Sequence, residues 1–275
     1  MEEASKMIDL HNHILCGQDD GAESLEESVE MCRIGYHDGI RTIVATPHIL
    51  PGIYENDRCT ILSQVAELNN ALKKLSVQRS AFRVKNLGSM TQLPDDLITE
   101  LRILAGADVH FSADLLERLE KKEVVTVNDQ GRYLMVEFDF QGIPYRAEEA
   151  LFQLMSSGII PIISHPERNM EIGRKPQRYY EMIRMGCLGQ VTAMSLTGEF
   201  GPGIKGNAEK LLTKRLIHII ASDAHSPERR PPILSAGVKA AEKIVGKEEA
   251  RKMVTEYPKA VIEGRRPDVP APIPI

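Results

Sequence analysis

The sequence predicts a parallel α/β fold, and three observations carry that prediction. Short apolar runs alternate with longer amphipathic ones along most of the 275 residues. The amphipathic runs have recognisable helix ends, and a glycine-rich dinucleotide fingerprint is missing after the first strand. The alternation allows a closed barrel or an open doubly wound sheet, and the missing fingerprint favours the barrel.

Seven runs read as short buried strands: Met7–Leu10, Thr42–Ala45, Ala107–Val109, Tyr133–Val136, Ile159–Ile163, Leu188–Val191 and Ile217–Ala221. Between them lie the helices. Ser24 with Glu27 forms a capping box whose helix stops at Gly39, and a second helix covers Asp57–Leu75. Ser112 can cap Ala113–Glu120, Arg146–Ser157 stops at Gly158, and Gln177–Met185 stops at Gly186. Asn207 can cap Ala208–Lys214, and Ile233–Val245 and Lys247–Glu256 follow. Ser80–Thr99 breaks the alternation and reads as an inserted loop. The ending RRPDVPAPIPI is proline-rich and is expected to be a disordered tail, which leaves residues 1–264 as a single domain.

Composition excludes several function classes. A net charge of −5 lacks the basic face that nucleic-acid binding needs. No stretch reaches the length of a membrane span, and the acidic N-terminus has no signal-peptide core. Cys16, Cys32, Cys59 and Cys187 are scattered without a CxxC pair, so a reducing, cytoplasmic setting is expected. Cysteine-based tyrosine phosphatase chemistry needs an arginine six positions after a cysteine, where this chain has Ala22, Asp38, Val65 and Ala193. A G-x-S-x-G elbow for serine chemistry is also missing.

The chemistry gathers where strands end. His11 and His13 close the first strand, with Asp20 in the loop beyond. His48, Asp108, Glu137 and His165 fall at the next ends, and Asp223 and His225 follow the last strand. In an α/β barrel those ends share one face. In H-x-H and D-x-H the paired side chains point the same way on extended backbone, so one strand end can offer two ligands. Imidazole with carboxylate suits zinc, manganese or iron. Four carboxylates against up to three divalent ions leave the site net positive, which attracts a phosphate dianion.

Each of these residues alone could be an ordinary hydrogen-bonded side chain; their joint placement on one face is what argues for ligands. His37 and His218 read as structural, and His110 as a neighbour of the ligands. Arg168 and Arg230 are candidate phosphate binders, because the planar guanidinium fork matches phosphate oxygens. Arg229 is equally well a surface ion pair. The glycine-dense stretch Thr197–Gly206 lacks P-loop order and reads as a flap or plain turn.

The segments MIDLHNHILCGQDDGAESLEESVEM, VATPH, YLMVEFDF, IIPIISHPER, QVTAMSLTGEFG and IASDAHSPERRPP share a wider pattern. From Met7 to about Gly264 the chain resembles the bacterial PHP-type (polymerase and histidinol phosphatase) protein tyrosine phosphatases of capsule and exopolysaccharide loci. The resemblance implies a distorted (β/α)7 barrel with three metal ions. It assigns His11, His13, Asp108 and Asp223 to one ion, Asp108, Glu137 and His165 to a second, and Asp20, His48 and His225 to a third. Arg168 and Arg230 would bind phosphate, and the substrate would be phosphotyrosine on the tail of a bacterial tyrosine autokinase. At the bridging position the family carries glutamate, whereas this chain reads Ala105-Gly-Ala-Asp108. The rival readings of this chain are a phosphatase of a small metabolite such as histidinol phosphate, a nuclease of the same type, and a non-catalytic regulator that keeps the fold and binds the kinase.

Overall fold

The computed structural model describes residues 6–85, 98 and 100–275. The strands β1 (Met7–Asn12), β2 (Ile40–Ala45), β3 (His48–Ile49), β4 (Arg102–Ala105), β5 (Asp108–His110), β6 (Tyr133–Glu137), β7 (Ile160–Ser164), β8 (Leu188–Thr192) and β9 (Ile219–Ala221) pair in parallel. They form a three-stranded sheet, β1-β2-β4, and a six-stranded sheet, β3-β5-β6-β7-β8-β9. The sheets meet where two strand positions are interrupted. Thr46-Pro47 separates β2 from β3, and Gly106-Ala107 separates β4 from β5. Pro47 has no N–H to extend the ladder, but its carbonyl still accepts from Asp108 N–H at 3.2 Å. The nine strands therefore occupy seven positions of a distorted barrel.

The first and last positions meet at a parallel bridge between Asn12 and Ala224. Asp223 N–H donates to the His11 carbonyl at 2.8 Å, and His13 N–H to the Ala224 carbonyl at 2.9 Å. Beneath them the buried Asp9 carboxylate accepts from Ser222 N–H (2.9 Å), Ser222 Oγ (2.5 Å) and Asn12 Nδ2 (2.9 Å). Burial pushes the Asp9 carboxyl up to about 6, and these hydrogen bonds oppose that shift.

Side chains alternate across the barrel wall. Tyr133 and Met135 of β6, Ile162 of β7, Leu188 of β8 and Ile219 of β9 join Ile8, Leu10 and Val44 in an inner cluster. Leu134, Val136, Ile163 and Val191 pack outward against the helices. The same parity carried forward puts Glu137, Ser164, Gln190, Thr192 and Asp223 on the inner side. The interior is thus apolar at the N-terminal ends of the strands and polar at the C-terminal ends.

Around the barrel lie α1 (Leu25–Asp38), α2 (Arg58–Lys85), α3 (Leu115–Glu120), α4 (Ala147–Ser156), α5 (Met170–Arg174), α6 (Gln177–Met185), α7 (Ala193–Thr197), α8 (Pro202–Thr213), α9 (Ser235–Val245), α10 (Lys247–Lys252) and α11 (Glu256–Ile262). Ser24 Oγ accepts Glu27 N–H and Gly39 closes α1 at φ 101°, as the capping pattern predicts.

Several expectations change. β3 and β4 were not anticipated. Ser80–Lys85 continues α2, and the remainder of Ser80–Thr99 lies outside the described residues except 98. Ser112 does not cap α3: its hydroxyl is buried without a partner among the described residues, and the helix starts at Leu115. Thr197–Gly206 is no flap; it ends α7, turns at Gly198 and Gly201, and begins α8 at Pro202. Asn207 sits inside that helix and donates to the Glu167 carbonyl.

The proline-rich ending has no helix or strand, yet it is laid against the barrel base rather than free. Tyr133 Oη donates to the Arg265 carbonyl at 2.7 Å, and Ile273 N–H to the Lys214 carbonyl at 2.9 Å. Val269 packs on both apolar clusters. Proline removes donors from such a strand-like segment, and the intervening Val269 gives it a reason to bury.

His218 is buried in this base, and its Nδ1 accepts Gly189 N–H at 3.0 Å. Burial lowers its pKa from 6.5 to about 4. Below pH 6.5 the unfolded chain gains a proton that the folded chain refuses, so stability falls as pH drops towards 4. A His218→Gln variant should lose about 3 kcal/mol less between pH 7 and pH 4 than the parent, as read by urea unfolding.

Candidate metal centre

All nine predicted ligands converge at the C-terminal ends of the strands. Three sets of donor atoms lie mutually within 4.8 Å: His11, His13 and Asp108; His48, Asp108 and Glu137; and His13, Asp20, His48 and His225. Asp223 Oδ1 adjoins the first set, at 3.5 Å from His11 Nε2 and 3.4 Å from His13 Nε2. His165 Nε2 adjoins the second, at 3.3 Å from Glu137 Oε1 and 3.8 Å from Asp108 Oδ2. His13 and His48 each belong to two sets, which is more sharing than the resemblance implies.

The donor chemistry fits divalent cations. Ligands about 2.1 Å from a tetrahedral ion are roughly 3.4 Å apart, the separation seen at several of these contacts. Asp108 Oδ2 is buried without a hydrogen-bond partner among the described residues, and it faces His11 Nε2 at 3.4 Å. His11 Nε2 and His13 Nε2 are only 3.0 Å apart. Two imidazole nitrogens tolerate that approach when a cation, a proton or a metal, sits between them.

The supporting residues largely escaped sequence reasoning. Gln190 Oε1 accepts from His11 Nδ1 at 3.0 Å, and Asp19 Oδ2 from His13 Nδ1 at 2.6 Å. His225 Nδ1 donates to the Asp223 carbonyl at 2.9 Å. Each bond places the ring proton on Nδ1 and leaves Nε2 facing inward, the arrangement metal-ligating histidines need. Asp19 also accepts His48 N–H and Gly21 N–H. A Cβ on Gly21 would lie 2.1 Å from the His13 carbonyl oxygen, so only glycine allows this turn. The signals were slight: a second aspartate beside Asp20, and a polar residue on the inner parity of β8.

Asp108 is anchored differently. Ser164 Oγ donates to its Oδ1 at 2.5 Å, leaving Oδ2 to the donor cluster. The shorter side chain thus presents one oxygen at the centre. His165 (φ 31°) and Asp223 (φ 52°) both occupy the left-handed region. That conformation is costly for non-glycine residues and collects at functional sites.

Both candidate arginines reach the centre. Arg168 Nη2 and Arg230 Nη2 donate to Asp223 Oδ2 at 2.5 and 2.6 Å. Phe200 lies 4.4 Å from the Arg168 guanidinium and 5.7 Å from that of Arg230. The glycine-dense segment therefore matters through Phe200. The Nε atoms of both arginines are buried without partners among the described residues. Arg229 is exposed, and His110 borders Glu137 at 4.0 Å. The cavity above the centre holds about 250 Å³ and is lined by His48, Glu137, His165, Arg168, Asp223 and Arg230 among others. A cavity of about 400 Å³ at the opposite end has no carboxylate in its lining.

Electrostatics separates the two closest histidines. Burial lowers His11 to about 4 even beside Asp108 and Asp223. Burial also opposes charge on His13, but Asp19 and Asp223 raise it to about 10. Burial and Arg168 oppose a proton on His165, which Asp108 and Glu137 nevertheless raise to about 10. A cation entering these donors has to displace protons.

Comparison with known proteins places the chain in a family. The family model described as capsular polysaccharide synthesis, CpsB/CapC, matches residues 7–83 and 78–263. Tyrosine-protein phosphatase YwqE of Bacillus subtilis is 35% identical over 224 residues, covering 82% of this chain and 79% of the relative. Tyrosine-protein phosphatase CpsB of Streptococcus pneumoniae is 31% identical over 261 residues, covering 93% and 98%. A solved structure from work on YwqE and CpsB, described as unique metal-dependent tyrosine phosphatases, superposes with a TM-score of 0.86 at 32% identity. It covers 98% of this chain and 99% of its own. An amidohydrolase from Mycoplasma synoviae, at 16% identity and a TM-score of 0.53, shares the fold alone.

Two outcomes follow for the centre. Asp19→Asn should weaken divalent-cation affinity by roughly 10- to 100-fold, measured by competition with a chelating dye. Because His13 and His165 are proton-loaded below about 10, affinity in the parent should rise with pH, by up to about tenfold per unit for each proton displaced, in titrations at pH 6, 7 and 8.

Proposed function

The chain belongs to the capsular polysaccharide synthesis family CpsB/CapC, and we propose that it is a metal-dependent protein tyrosine phosphatase working at this centre. The observation that carries the reading is a partly buried donor floor with two arginines poised beside it, their Nε–H groups without partners among the described residues. Such a site is complementary to a phosphate dianion, the reacting part of a phosphate monoester.

The nine residues His11, His13, Asp20, His48, Asp108, Glu137, His165, Asp223 and His225 would hold up to three ions, with manganese, zinc or iron suited to imidazole and carboxylate. Divalent cations bound there supply Lewis acidity and activate water for attack on phosphorus. Arg168 and Arg230 bind and orient the phosphoryl oxygens and stabilise the charge that builds on them. Asp223 holds both guanidiniums through Oδ2, so their planes are set before substrate arrives. Phenolate, whose parent acid has a pKa of about 10, leaves without a strong general acid.

The proposed physiological substrate is the phosphotyrosine tail of a bacterial tyrosine autokinase that controls polysaccharide synthesis, met in the cytoplasm. Support comes from the family's place in capsule synthesis and from four cysteines that are all free. Among the described residues, no helix is long and apolar enough to cross a membrane.

The protein reconstituted with manganese should hydrolyse a phosphotyrosine peptide well ahead of a phosphoserine peptide or histidinol phosphate. Stringent chelation, or alanine at His11 and Asp223 together, should abolish turnover; activity surviving either would sink the metal mechanism. Arg168→Ala and Arg230→Ala should each lower kcat by on the order of 10²-fold while retaining bound metal.

A further inference from the structure

The centre's mouth carries two aromatic rings that the chemistry above leaves unused. Tyr54 stacks on His48, with ring centroids 5.8 Å apart and planes 16° from parallel. Phe140 lies over His165, at 6.2 Å and 31°. Both line the 250 Å³ cavity, together with Leu50 and Phe138.

Phe140 is 55% exposed, an unfavourable state for a phenyl ring, whereas Phe138 two residues earlier is 4% exposed. The exposure does not come from an untethered loop. Phe138 packs edge-on against Phe111, Asn169 Nδ2 donates to the Asp139 carbonyl at 2.7 Å, and Met170 N–H donates to the Phe140 carbonyl at 2.8 Å. Three anchors thus hold the backbone on either side while the Phe140 ring stays out over the cavity. Tyr54 is fixed in a similar way: Leu50 and Tyr54 exchange backbone hydrogen bonds of 3.0 and 2.8 Å.

The geometry points to Phe140 and Tyr54 as the residues that select an aryl phosphate, by receiving the phenyl ring of phosphotyrosine at the cavity mouth while its phosphate meets the charged floor. This rests on the phosphatase reading. The chemistry of the two zones matches the two ends of that side chain. The floor offers guanidinium donors and, once loaded, would offer cations, and the rim offers flat apolar faces at fixed positions. A phosphoserine carries its phosphate on a short alkyl arm and brings no ring to the rim.

The test compares phenyl phosphate with glycerol phosphate on the manganese-loaded protein. Phe140→Ala should cut the aryl-to-alkyl ratio of kcat/KM by on the order of tenfold, mainly through KM, and Tyr54→Ala should move it in the same direction. Phe140→Tyr should restore the ratio, and Phe140→Leu should restore it only partly. Phe152→Ala, an exposed phenylalanine outside the cavity lining, should leave it alone. Binding of the unreactive phenylphosphonate, against methylphosphonate, should weaken in parallel, and metal content should stay at the parental level. A ratio unmoved in both Phe140→Ala and Tyr54→Ala, or equal losses on both substrates, would overturn the inference. If the parent protein itself fails on phosphotyrosine and phenyl phosphate, the phosphatase reading fails instead.

Discussion

The seam between the first and last strands is the contact on which the rest depends. It brings together residues more than two hundred positions apart and sets His11 and His13 beside Asp223 and His225. Backbone hydrogen bonds align the two strand ends, and the Asp9–Ser222–Asn12 cluster ties them from below. A buried carboxyl that is fully hydrogen-bonded is worth more in specificity than in net stability, because its desolvation consumes much of what the bonds return. Its role here is register. A slip of one residue would turn the inner face outward and take the ligands with it.

Polarity along the barrel axis is the second organising feature. Below, the inner side chains are aliphatic or aromatic and exclude water; above, Ser164, Gln190 and Thr192 form a polar collar. Gln190 bonds to His11 and Ser164 to Asp108, so the collar positions candidate ligands as well as separating them from the apolar layer. Asp19 does the same from the loop after β1. These are the groups whose removal would leave every ligand in place and still disturb the centre.

Much of this was legible in the chain. Seven apolar runs located the seven strand positions, and marking the histidines and acids at or just beyond their ends named the side chains that the described residues bring together there. What escaped had weak local signals. β3 is two residues long, too short for any periodicity, and β4 lies directly after the stretch that breaks the pattern. Asp19 could not be told from its neighbour Asp20 until the fold showed one bonded to His13 and the other facing His48 and His225. The proline-rich ending looked disordered because composition reports missing donors and is silent about Val269 finding a place at the barrel base. Thr197–Gly206, read as a flap or a plain turn, is largely a turn: two glycines of positive φ join two helices, and the segment reaches the centre through the ring of Phe200.

His13 and His48, each facing two groups of donors, would make occupancy a collective property of the centre if more than one group took a cation. An ion held in one group would fix an imidazole that the next group also needs, and would repel a second ion entering there. The filling curve would then balance shared preorganisation against mutual charge, and its steepness would measure which prevails.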